Sequence, residues 1–68
     1  MNDYIAWLNE TSVARGTLAH VERIAREIAA TPRWQEAESH RGPTTMRITR
    51  GARQMFVKSV VLTNGSAT

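Results

Sequence analysis

Nothing but its own apolar side chains can hold this chain together. It has 68 residues and no cysteine, and a domain of that size buries only about 60% of the surface its unfolded chain exposes. Neither a disulfide framework nor a thiolate metal site can reinforce so small a core. The apolar share, 41%, is near that of an ordinary globular domain, so one small domain is expected over residues 1–65, with 66–68 as a disordered tail. Homodimerisation, a common remedy for a small core, is an open expectation.

The firmest local signal is an amphipathic helix over residues 17–30. Leu18, Val21, Ile24, Ala25 and Ile28 recur at spacings of three and four and form one apolar stripe. Thr17 is a good cap, and Glu22/Arg26 and Arg23/Glu27 stand at i,i+4. Pro32 should end the helix by disfavouring a helical conformation at Thr31. Residues 4–10 read as a short helix capped by Asn2 or Asp3, with Tyr4, Ile5 and Leu8 sharing a face. The same run also fits a short buried strand, and the helix is preferred. Residues 11–16 read as a connector. Residues 35–43 read as a polar loop, with at most a helical turn over 35–39.

The final third changes character. Met46 and Ile48 alternate with Thr45, Arg47 and Thr49, Arg50-Gly51-Ala52-Arg53 suits a turn, and residues 54–63 suit a second strand ending at Asn64-Gly65. A helix over 50–63 is the competing reading, but Gly51, Val57, Val60, Val61 and Thr63 are poor helix formers. The expected fold class is α+β: one or two short helices packed on a C-terminal antiparallel β-hairpin. Trp7, Trp34, Met46, Met55 and Phe56 are expected to supply core volume.

Charge is sorted along the chain. Every acidic residue (Asp3, Glu10, Glu22, Glu27, Glu36, Glu38) precedes position 40, while Arg41, Arg47, Arg50, Arg53 and Lys58 follow it with no acid among them. A basic surface on a nearly neutral scaffold fits a polyanion. In the hairpin, Arg47, Arg50 and Arg53 are expected to cluster at one end and contact phosphate, with Lys58 and Arg41 in support. Such a ribbon could follow a nucleic-acid backbone or enter a groove. The helix over 17–30 is a weaker candidate, because Glu22 and Glu27 offset Arg23 and Arg26.

Other chemistries find little support. His20 and His40 stand twenty residues apart with no close ligand pair, so no metal and no other cofactor is expected. Ser12, Ser39 and Ser59 lack a nucleophile turn, and Glu36 and Glu38 lie in a polar stretch, so no catalytic residue is assigned and an enzyme is not expected. The opening Met1-Asn2-Asp3 resembles no signal peptide, and no apolar run is long enough for a membrane span. A cytoplasmic protein without membrane partners is the expectation, and the sequons at Asn9 and Asn64 are read as chance.

Two resemblances bear on the fold. Ile24-Ala25-Arg26-Glu27-Ile28-Ala29-Ala30-Thr31-Pro32-Arg33-Trp34, with Tyr4, Trp7 and Leu8 upstream, resembles the small YozE-like proteins of SAM-like helical fold. That resemblance covers less than half the chain and implies an all-α bundle, the alternative fold. The order helix, helix, basic hairpin is similar in architecture to a miniature winged-helix protein of the excisionase type, an analogy that transfers no residues. The expected function is a non-enzymatic nucleic-acid-binding module, a small regulatory or accessory protein. The alternative is a protein-interaction module or inhibitor, of the kind phages encode, docking on a host protein through the hairpin edge.

Overall fold

The computed structural model describes residues 3–62, apart from the side chains of Glu38, Ser39 and Arg41. Along the chain run β1 (Tyr4–Leu8), β2 (Thr11–Gly16), α1 (Leu18–Ala29), α2 (Pro32–Arg41), β3 (Thr44–Arg50) and β4 (Met55–Leu62). The strands form one antiparallel sheet in the order β2-β1-β3-β4. The class is α+β with a C-terminal hairpin, and the all-α alternative is excluded. Two strands precede the helices, so the winged-helix order does not hold either.

Residues 4–10 are not a helix. Tyr4–Leu8 lies between β2 and β3 and pairs with both, so both edges of its backbone are hydrogen-bonded. An isolated helix of that length would be marginal in water, whereas a central strand gains partners on each side. Residues 11–16 are not a connector but β2, reached through the two-residue turn Asn9-Glu10. Asn9 takes a left-handed φ of 56°, which asparagine tolerates better than most residues. Its N–H donates to the Thr45 carbonyl at 2.9 Å, and its Oδ1 accepts from the Thr45 N–H at 3.0 Å. The turn is thereby tied to β3.

α1 starts where the cap predicts. Thr17 Oγ1 accepts from the His20 N–H at 3.2 Å, and Val21 and Ala25 are wholly buried. The helix packs chiefly across β1 and β2 and less on β3. Beyond it, residues 32–41 form a full helix rather than a loop with one turn. Thr31 both closes α1 and opens α2: its Oγ1 donates to the Ile28 carbonyl at 2.7 Å and accepts from the Trp34 N–H at 3.3 Å. Pro32, expected only to stop a helix, sits at the first helical position, where its missing N–H costs nothing.

The β3–β4 turn spans residues 51–54, one position later than expected, so β4 begins at Met55 rather than 54. Gly51 takes a φ of 77° there, a conformation that favours glycine. Gly51 N–H donates to the Asp3 carbonyl at 2.9 Å, and Gln54 N–H to the Gly51 carbonyl at 3.0 Å. The expected strand end at Asn64-Gly65 and the 66–68 tail lie outside the described residues.

Ala6, Leu8, Val21, Ala25, Met46 and Ile48 form the core between sheet and helices. Trp34 packs against it as expected, and its Nε1 donates to Thr44 Oγ1 at 2.8 Å. Three other expected core residues are elsewhere. Trp7 is on the opposite face of the sheet, because β1 alternates and Ala6 and Leu8 take the helix side. Met55 and Phe56 are each 67% exposed, on a strand at the sheet's edge. Met46→Ala should therefore lower the unfolding free energy by about 2–5 kcal/mol, and Phe56→Ala should change it by no more than about 0.5 kcal/mol. Urea unfolding of the two variants measures both.

Candidate nucleic-acid interface

The four strands contain Arg15, Arg47, Arg50 and Lys58 and not one aspartate or glutamate. Each helix balances its own charge: Arg23 and Arg26 against Glu22 and Glu27 in α1, Arg33 and Arg41 against Glu36 and Glu38 in α2. Among the described residues, the basic excess of the molecule therefore resides in the sheet and its β3–β4 turn, where Arg53 adds one more cation.

One face of that sheet carries the helices and the other is open. Strand pairing aligns the side chains of the open face in rows. Arg15, Ile5, Thr49 and Phe56 stand abreast across all four strands, and one step along come Ser12, Trp7, Arg47 and Ser59. Bulges at Val13 and Val57 interrupt the two edge strands, where β2 and β4 each carry one extra residue. Trp7 Nε1 donates to Thr49 Oγ1 at 3.0 Å, which lays the indole over the sheet and helps keep Thr49 at 3% exposure. The Arg47 guanidinium carbon lies 5.1 Å from the centroid of the Trp7 ring, within range of a cation–π contact. Its Nε is out of contact with solvent and has no hydrogen-bond partner among the described residues.

The five cations expected at the site are distributed as follows. Arg47 is on the open face, over Trp7. Arg50 is three residues on, hence on the helix side of the strand, with its guanidinium 5.6 Å from the Tyr4 ring centroid. Arg53 is exposed in the turn beside it. Lys58 is also on the helix side, opposite Ile48, and its Nζ is 3.2 Å from Glu22 Oε2. Glu22 thus pairs with a strand residue rather than with Arg26. Arg41 ends α2, at the opposite end of β3 from Arg50, about 20 Å away at strand rise, and its side chain lies outside the described residues. The structure so brings Arg50 and Arg53 to one end, sets Arg47 on another face, and leaves Lys58 partly neutralised. Arg15, across the open face from Phe56, was not anticipated. The only signal for it was a strand where the sequence reads as connector.

The remaining candidates are simple to place. His20 and His40 are exposed and on different helices, and no group of three metal-ligating side chains occurs among the described residues. A shallow cleft at the far end of β1 is lined by Leu8, Asn9, Glu10, Thr11, Trp34 and Pro43, with Glu10 as its one ionisable group. No helix among the described residues is long and apolar enough to cross a membrane. No protein-family model matches the chain, and no curated protein or solved structure shows significant similarity to it.

Two contacts define this geometry and can be removed singly. Thr49→Val deletes the acceptor of the Trp7 indole, so stability should fall by about 1 kcal/mol and the Trp7 indole proton should move upfield in the NMR spectrum. Glu22→Gln removes the partner of Lys58, but the two side chains are 23% and 40% exposed. Solvent screening limits that loss to less than about 1 kcal/mol.

Proposed function

We propose that the chain binds single-stranded nucleic acid on the open face of its sheet. The observation that carries this reading is the open face of the acid-free sheet: its strands present Arg15, Arg47 over the Trp7 ring, and an exposed Phe56, and no strand holds a carboxylate. Unstacked bases bind to aromatic rings and to guanidinium planes, and a basic surface follows the phosphates. Phe56 and the Arg47 guanidinium would supply the stacking surfaces. Arg15, Arg53 and the Arg47 guanidinium would meet phosphate. Arg50, on the helix side, Lys58, held by Glu22, and Arg41, at the far end, would contribute less. A four-stranded face about 14 Å across is wider than the roughly 12 Å major groove of a duplex, which favours a single strand over a groove.

A second reading, docking on another protein, is favoured by a separate observation: β4 exposes Met55, Phe56, Val57 and Val61 along a sheet edge. Long apolar edges invite strand addition.

Fluorescence anisotropy with labelled oligonucleotides separates the two readings. The first expects single strands bound at low salt and released as salt rises, with a log–log slope near −2 for about three phosphate contacts. Phe56→Ala should weaken binding by about 1–3 kcal/mol, with unfolding unchanged, and a joint Arg15→Ala/Arg47→Ala change should flatten the slope. No binding at low salt, or duplex held as tightly as single strand, would contradict the proposal.

A further inference from the structure

We infer that two copies of this chain associate through β4, antiparallel about a two-fold axis normal to the sheet, to form one continuous eight-stranded sheet. The inference stands apart from what the open face binds.

β4 is an edge strand of eight residues, and among the described residues it pairs on one side only, with β3. Proteins blunt such edges with charge, proline, bulges or a covering helix. β4 has no proline and one charge, Lys58, and that ammonium is drawn onto Glu22 of α1 at 3.2 Å. α1 lies chiefly over β1 and β2. The bulge lies at Val57, near the start of the strand, so Lys58–Leu62 beyond it is regular. The other edge, β2, is treated differently: it is bulged at Val13, carries an exposed Arg15, and lies under α1.

The occupant that suits β4 is β4 itself. An antiparallel self-pairing centred on Ser59 sets Val57 against Val61 of the second copy and Lys58 against Val60. Centred on Val60, it sets Lys58 against Leu62 and Ser59 against Val61. In both registers Lys58 meets an aliphatic residue and never its own counterpart, so no like charges are opposed. The two-fold sends the hairpin ends bearing Arg50 and Arg53 in opposite directions, which limits repulsion between chains of net charge +3 each. It also leaves both open faces on the same side. Eight residues give an edge only about 27 Å long, below the standard interface size, so the dimer should be concentration-dependent rather than obligate.

The chain has no cysteine, so single cysteines report without background. At least one of Ser59→Cys and Val60→Cys, at the two candidate two-fold positions, should oxidise readily to a disulfide dimer, whereas Arg33→Cys on the exposed start of α2 should not. Sedimentation of the unmodified chain, without nucleic acid, should rise with concentration from one chain mass to two. Val57→Lys/Val61→Lys changes two solvent-exposed positions, so thermal unfolding of the monomer should hold while association weakens by at least about tenfold. A chain still monomeric near about 1 mM, a dimer unaffected by the lysine pair, or equal cross-linking through Arg33→Cys would overturn the inference. A dimer that binds no oligonucleotide would leave it standing and end the nucleic-acid proposal instead.

Discussion

The register between β1 and β3 is the constraint on which everything else rests. It sets Leu8 against Met46 and Ala6 against Ile48 on the helix side, and Trp7 against Arg47 and Ile5 against Thr49 on the other. A slip of one residue would put Leu8 on the same face as Arg47, so that either Met46 turns out to solvent and Arg47 comes under α1, or Leu8 turns out instead. The core is small enough that no such exchange could be tolerated. Asn9 pins the register from one end, through its paired hydrogen bonds to Thr45. Gly51 pins it from the other, through the Asp3 carbonyl. Both ties lie in turns, where a single residue can hold two strands at once.

From that register the charge distribution follows. Strand alternation sets Arg47 and Arg50, three residues apart in β3, on opposite faces, and pairing with Ile48 puts Lys58 on the side of Arg50. The helices are each self-balanced and lie on one face, α1 over β1 and β2 and α2 tied to β3 through Trp34 and Thr44. What remains open is a face with basic and aromatic side chains and no carboxylate. The acids before position 40 lie outside the strands, in the two helices, in the β1–β2 turn and ahead of β1. The polarity visible as a gradient along the chain thus becomes a difference between layers of the fold.

Some of this was legible in the residues. The α1 stripe and the alternation of β3 are long enough to carry their own period, and the Thr17 cap marks a boundary well. β1 was not legible, since Tyr4–Leu8 fits either period and only its two neighbouring strands decide. β2 has no apolar alternation and is a strand because β1 pairs with it. α2 was hidden by reading Pro32 as an end rather than a beginning, although Thr31 is a cap residue in plain sight. For the site, the opposite orientation of Arg47 and Arg50 follows from their spacing of three once the strand is granted. The contact between Lys58 and Glu22 spans 36 positions and depends on how α1 crosses the sheet, which no local pattern encodes.

Nuclear Overhauser effects between β1 and β3 test the register most directly. Cross-strand contacts should pair Ala6 with Ile48 and Leu8 with Met46, together with one from the Trp7 indole proton to Thr49. A pattern displaced by one residue, pairing Ala6 with Arg47, or an indole proton in contact with Val21 and Ala25 instead, would contradict it.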